Sequence, residues 1–168
     1  SHIYNYEAGG PAVLSGVMCR TIEGELGVFD VSHLEGLIRP ENDHLVRTRL
    51  VCIENTHNRG GGSIFPLDKI RAIAAWAHRH GLVVHLDGAR LWNAAVATGI
   101  PLRDWAEPCD SVSVCFSKGL GAPVGSALAG TKDFVKRARR IRKLFGGGMR
   151  QAGVLAAAAL YAIEHHFH

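Results

Sequence analysis

Three apolar runs, "RLVCIEN" (49–55), "LVVHLD" (82–87) and "DSVSVCFS" (110–117), limit the folds open to this chain more than any other feature. Each is short enough for a strand, and the first two are too apolar to have one wetted face, as expected of strands buried on both sides. Helical segments alternate with them. "PLDKIRAIAAWAHRHG" (66–81) carries Pro66 at its start and Gly81 as its stop, and "GARLWNAAVATG" (88–99) closes on Gly99. Strand and helix in alternation predict an α/β fold with a mainly parallel sheet.

Flanking segments are read in the same way. "VMCRTI" (17–22) predicts a short strand, and "DVSHLEGLIRP" (30–40) a helix capped by Asp30 and stopped before Pro40. "NRGGG" (58–62) predicts a flexible loop and "GSALAG" (125–130) a further strand. Two helices follow, over 131–145 and 149–165, with "GGG" between them. The opening "SHIYNYEAGG" has strand and loop character, and the closing "LAAAALYAIEHHFH" is a helix without a stop signal. Both ends suggest a piece of a longer protein.

Open parallel sheets gather ligands outside the carboxyl ends of their strands. Here those ends carry "ENTHNRGGG", "HLDGAR" and "FSKGLGAP". If the strands are neighbours, His57, Asp87, Arg90 and Lys118 converge on one rim. A lysine at a strand end ordinarily just reaches solvent. Partial burial beside another cation instead frees its lone pair for imine formation with a carbonyl. Gly119 and Gly121 would leave room for a bulky group against the backbone. Asp87 ends so apolar a strand that its carboxylate needs a partner. It would either cap the helix that follows or pair with a buried cation such as a pyridinium nitrogen. Arg90 sits in the first helical turn, where the helix dipole disfavours a cation, so an anionic partner would account for it. An imine-forming lysine together with an aspartate for a ring nitrogen is the combination that pyridoxal phosphate chemistry requires.

Five stretches, "SHIYNYEAGGPAVLSG", "ENTHNRGGG", "HLDGARLWNAA", "SVSVCFSKGLGAPVGSALAG" and "RKLFGGGMRQAG", together resemble the threonine aldolase family, within the β-eliminating lyase group of fold-type I pyridoxal phosphate enzymes. The resemblance runs over essentially the whole chain. It implies the large domain of an aspartate-aminotransferase-like fold, a mainly parallel sheet with helices on both faces. Residues 1–168 would be part of that domain, without the upstream phosphate-binding segment and without the downstream small domain and its second carboxylate-binding arginine.

The resemblance also implies roles. Lys118 matches the family's Schiff-base lysine, and Asp87 the partner of the pyridine nitrogen of pyridoxal 5'-phosphate. Arg90 matches the arginine that holds the substrate carboxylate. His2 matches the histidine that stacks on the pyridine ring, and His57 the one near the substrate β-hydroxyl. Ser117 would support the lysine or the cofactor. The implied reaction is retro-aldol cleavage of threonine, allo-threonine and related β-hydroxy-α-amino acids to glycine and an aldehyde, with either His57 or His2 as the base. Another pyridoxal-phosphate lyase, or an inactive fragment serving only in assembly, remains an alternative. The parent protein is expected to be a cytoplasmic homodimer or homotetramer with shared active sites. These residues alone are expected to have little or no activity.

Composition excludes other classes. The charge of +4 owes much to "TKDFVKRARRIRK" (131–143), which reads as a solvated amphipathic helix. With no aromatic stacking set nearby, it does not point to nucleic acid. No run reaches the ~20 apolar residues of a membrane span. The four cysteines form no C-x-x-C pair and read as packed, reduced thiols. "GLGAPVG" lacks the spacing of a dinucleotide-binding turn. His78, His80, His85 and Asp87 do not share one face in a way that suits a metal, and His165, His166 and His168 read as a surface cluster. Trp76, Trp92 and Trp105 read as packing residues.

Overall fold

A computed structural model describes residues 1–167, and His168 lies outside the described residues. In chain order the elements are α1 (His2–Asn5), α2 (Gly10–Ser15), β1 (Leu50–Glu54), α3 (Leu67–Arg79), β2 (Val83–Gly88), α4 (Leu91–Thr98), α5 (Leu102–Ala106), β3 (Ser111–Cys115), β4 (Ser126–Gly130), α6 (Lys132–Leu144) and α7 (Gly153–His165). Short 3-10 turns cover Val31–Leu34 and Asn58–Gly60. The strands form one sheet in the order β1-β2-β3-β4. β1, β2 and β3 run parallel, and β4 returns antiparallel along the outer side of β3.

The pleat divides each parallel strand between two faces. Val51 and Ile53 of β1, Val84 and Leu86 of β2 and Val112 of β3 point into the main core. Ile70, Ile73, Ala74 and Ala77 of α3 and Trp105 of α5 fill that core from the other side, and all four α3 residues are essentially inaccessible to solvent. Burial at the i, i+3, i+4 and i+7 positions of α3 is the amphipathic pattern of its sequence in space. The opposite face carries Cys52, Glu54, His85, Asp87 and Ser113, all half-buried. It is met by α1 at Glu54 and by Phe134 of α6 at Gly130, where an added Cβ would come within 2.6 Å of that ring. Helices therefore reach both faces, as expected, but unequally.

The two sequence expectations furthest from the structure lie before β1. Residues 17–22 form no strand; Val17 and Met18 are exposed, and among the described residues no strand lies alongside them to complete a ladder. The helix expected over 30–40 is one 3-10 turn. Asp30 caps it through its carboxylate, accepting from the Ser32 N–H at 3.1 Å, but Gly36 takes φ +71° and turns the chain away. The loop expected at 58–62 holds a single 3-10 turn capped by His57. All four cysteines are free. Burial pushes the Cys52 thiol up to about 11 and the Cys109 thiol up to about 12. The histidines weighed as metal ligands have other partners: His78 meets Asp110 at 2.9 Å, His80 its own helix at the Trp76 carbonyl, and His85 the Ser111 hydroxyl at 2.8 Å. Among the described residues no helix is long and apolar enough to cross a membrane.

Candidate active site

Parallel pairing puts the carboxyl ends of β1, β2 and β3 side by side, and a cleft of about 400 Å³ opens there. His2, Asp87, Arg90 and Lys118 all line it. Three of the four residues expected on the strand-end rim thus converge, and His2 joins them from the start of the chain. That volume lies within the ~300–1,000 Å³ of ordinary small-molecule sites.

Asp87 ends the apolar part of β2, and its Oδ1 accepts the Ala89 N–H at 3.1 Å. It caps a turn rather than the helix; the residue at the N-cap of α4 is Arg90. Lys118 stands on the loop joining β3 to β4. Backbone bonds brace this loop around it: the Gly121 N–H donates to the Lys118 carbonyl at 2.9 Å, and the Ala122 N–H to the Phe116 carbonyl at 3.0 Å. A small second core of Trp92, Leu120, Ala122 and Ala162 seats the loop on α4 and α7. The Trp92 indole N–H donates to the Cys115 carbonyl at 3.1 Å, and His166 bonds the Leu120 carbonyl at 2.7 Å. His166 is exposed, as expected, and also fastens the lysine loop. Gly119 also differs from its expected use. A Cβ there would come within 2.4 Å of the Asn93 amide oxygen, so this glycine lets the loop pack on α4 instead of making room for a ligand.

His57 and Ser117 do not line the cleft. His57 is tied to its own loop, accepting the Gly60 N–H at 3.1 Å, and its ring lies against Gly27, where a Cβ would come within 2.2 Å of it. Burial holds its imidazole below the ordinary value, outweighing the opposite pull of the Glu54 charge. The Ser117 hydroxyl turns to the Cys115 thiol at 3.3 Å. Thr56, one residue before His57, does line the cleft.

Sequence reasoning passed over Glu54. It pairs with Asp87 in the β1–β2 register, so two carboxylates stand side by side at the strand ends. Its own acceptors are filled by the start of the chain. Oε1 meets the His2 ring Nδ1 at 2.7 Å, and Oε2 accepts the His2 amide N–H at 2.9 Å. Oε2 also accepts the Ser1 hydroxyl at 3.1 Å. Burial alone would raise the Glu54 carboxyl, but these bonds prevail and hold it at about 2. The signal was present in the sequence: Glu54 ends an apolar strand just as Asp87 does.

A family described as beta-eliminating lyase has a model that matches residues 1–168. The chain belongs to the beta-eliminating lyase family. Among relatives, the low specificity L-threonine aldolase of Escherichia coli (strain K12) is 42% identical over 167 residues, covering 99% of this chain and 49% of that protein. Low-specificity L-threonine aldolase 1 of Arabidopsis thaliana is 45% identical over 168 residues, covering 98% of this chain and 47% of that protein. The solved structure of Leishmania major threonine aldolase superposes with a TM-score of 0.86 at 27% identity, covering 99% of this chain and 49% of that one. The chain therefore spans about half the length of the curated relatives it matches, and this β-eliminating lyase segment has the α/β architecture of threonine aldolases.

Proposed function

We propose that the protein containing this chain is a pyridoxal-phosphate-dependent aldolase cleaving L-threonine, L-allo-threonine and related β-hydroxy-α-amino acids to glycine and an aldehyde. The observation that carries this reading is the meeting of Lys118, Asp87, Arg90 and His2 in one cleft at the strand ends. The donor set fits the cofactor: an amine for its aldehyde, a carboxylate for its ring nitrogen and a flat imidazole beside them. Lys118 and Asp87 would hold it. When bound, the cofactor supplies an electron sink for the pair released as the substrate's Cα–Cβ bond breaks.

The chain's own groups do the rest. Arg90 offers a guanidinium fork to the substrate carboxylate, orienting the amino acid. Asp87, acceptor-only when ionised, keeps a proton on a facing ring nitrogen. His2 is the favoured base for the β-hydroxyl proton because it lines the cleft and His57 does not. His57 instead supports the loop that carries Thr56 to the cleft, and Ser117 stays beside the lysine loop.

The full-length protein mixed with cofactor should develop a yellow absorption band that borohydride removes, leaving the added mass on the peptide containing Lys118. Threonine should then yield acetaldehyde and glycine. Pyruvate and ammonia from serine, without aldehyde from threonine, would make it a β-eliminating lyase of another specificity. No band at all would overturn the reading.

A further inference from the structure

We infer that Glu54 is a positioning residue for His2: it fixes the imidazole with its proton on Nδ1, leaving Nε2 as the open nitrogen of a ring that lines the cleft. The inference rests on the proposed function for its catalytic meaning, and on geometry alone for the tautomer. Three observations carry it. The Glu54 Oε1 lies 2.7 Å from His2 Nδ1, the shortest separation its carboxylate makes. The same carboxylate takes the His2 backbone N–H on its other oxygen at 2.9 Å, so ring and backbone are held together. The Glu54 side chain is 9% exposed against 23% for His2, so the carboxylate is the more sheltered member of the pair.

The chemistry follows from what a carboxylate can do. Ionised, it only accepts, on both oxygens. A ring nitrogen facing it must therefore carry a proton, and in a neutral imidazole the other nitrogen must then be bare. A histidine acting as base needs such a bare nitrogen, and a carboxylate behind it stabilises the positive ring once the proton has moved. Glu54 is able to do both because β1 ends beside β2, which places it next to Asp87 but occupied by a different partner. The two strand-end carboxylates thus have separate duties, one toward the cofactor and one toward the base.

Glu54→Gln is the sharp test, since it keeps the shape but can accept on only one atom. With the amide oxygen on the His2 backbone N–H, its NH2 faces the ring, and the ring must accept on Nδ1 and move its proton to Nε2. Selective 15N-histidine labelling of the cofactor-free full-length protein reads this directly. At neutral pH the wild type should show His2 protonated on Nδ1, and Glu54→Gln should show it protonated on Nε2. In the loaded enzyme Glu54→Gln should lower kcat roughly 10–100-fold with KM little changed, and Glu54→Asp should recover part of the loss. An Nε2–H ring in the wild type, or a tautomer and kcat indifferent to the glutamine, would overturn the inference. Failure of threonine cleavage in the wild type would instead overturn the aldolase reading, while the tautomer measurement would still decide the pairing.

Discussion

The two faces of this sheet are built from alternate residues of the same strands, yet they resemble each other in almost nothing. In β1, Val51 and Ile53 enter a dry core while Cys52 and Glu54 face the other way; in β2, Val84 and Leu86 alternate with His85 and Asp87. The core face is complete: Ile53, Val84 and Leu86 are almost wholly buried against α3 and its neighbours. The other face is half-buried and polar toward the strand ends, and there Glu54, Asp87 and Ser113 approach the cleft. One residue along the chain separates a group that holds the fold from one that lines the cleft. Mutation should therefore separate stability from activity at adjacent positions.

The largest effect is expected on the core side. Ile53 is 1% exposed and sits immediately before Glu54. Ile53→Ala removes buried methyl groups and leaves a cavity, which should cost about 2–5 kcal/mol in urea-induced unfolding. In the fraction that remains folded, kcat should be close to wild type. A large loss of kcat at unchanged stability would break the division between the faces.

Asp87→Asn tests the other face. The amide keeps an oxygen to accept the Ala89 N–H, so unfolding should shift by less than about 1 kcal/mol. The charge is lost, however, and removing one preorganised electrostatic partner of this kind costs about 10²–10³-fold in kcat. Steady-state cleavage of threonine in the full-length protein, beside a urea titration, gives both numbers. Equal damage to stability and kcat would show that Asp87 is structural first.

The core side was largely legible in the sequence, because periodicity is a local property. α3 was expected over 66–81 and spans Leu67–Arg79; β1 and β3 fall within their expected runs, and β2 runs one residue past its own, to Gly88. The site was half legible. Asp87 and Lys118 each stand beside glycine, Arg90 follows two residues after β2, and parallel pairing does bring them together. What failed depended on contacts distant in sequence. Residues 17–22 look like a strand but have no strand beside them. Gly119 looks like ligand space but meets Asn93, 26 positions earlier in the chain. Glu54 finds its partner 52 positions away, and no spacing rule connects a four-residue helix to the end of a later strand.

The smallest effect sharpens the comparison at the one acid that serves both purposes. Glu54 is held at about 2 in the folded chain, against an ordinary glutamate value of 4.5. A lowered carboxyl binds fewer protons folded than unfolded, so its contribution is complete above pH 4.5 and is lost as the pH falls toward 2. The full shift overstates the effect, because part of the pair is open to water and screened; about 1 kcal/mol is the expected size. Wild type should therefore lose stability across that window more steeply than Glu54→Gln, whose side chain does not titrate, and the two curves should converge toward pH 2. The acid limb belongs to α1 and the open face, so tryptophan fluorescence from Trp105 in the main core should report the change only when the whole sheet unfolds. If the two curves run parallel from pH 5 to pH 2, the carboxylate is not held by its partners in solution. The open face would then lack the Glu54 carboxylate as a polar anchor for α1.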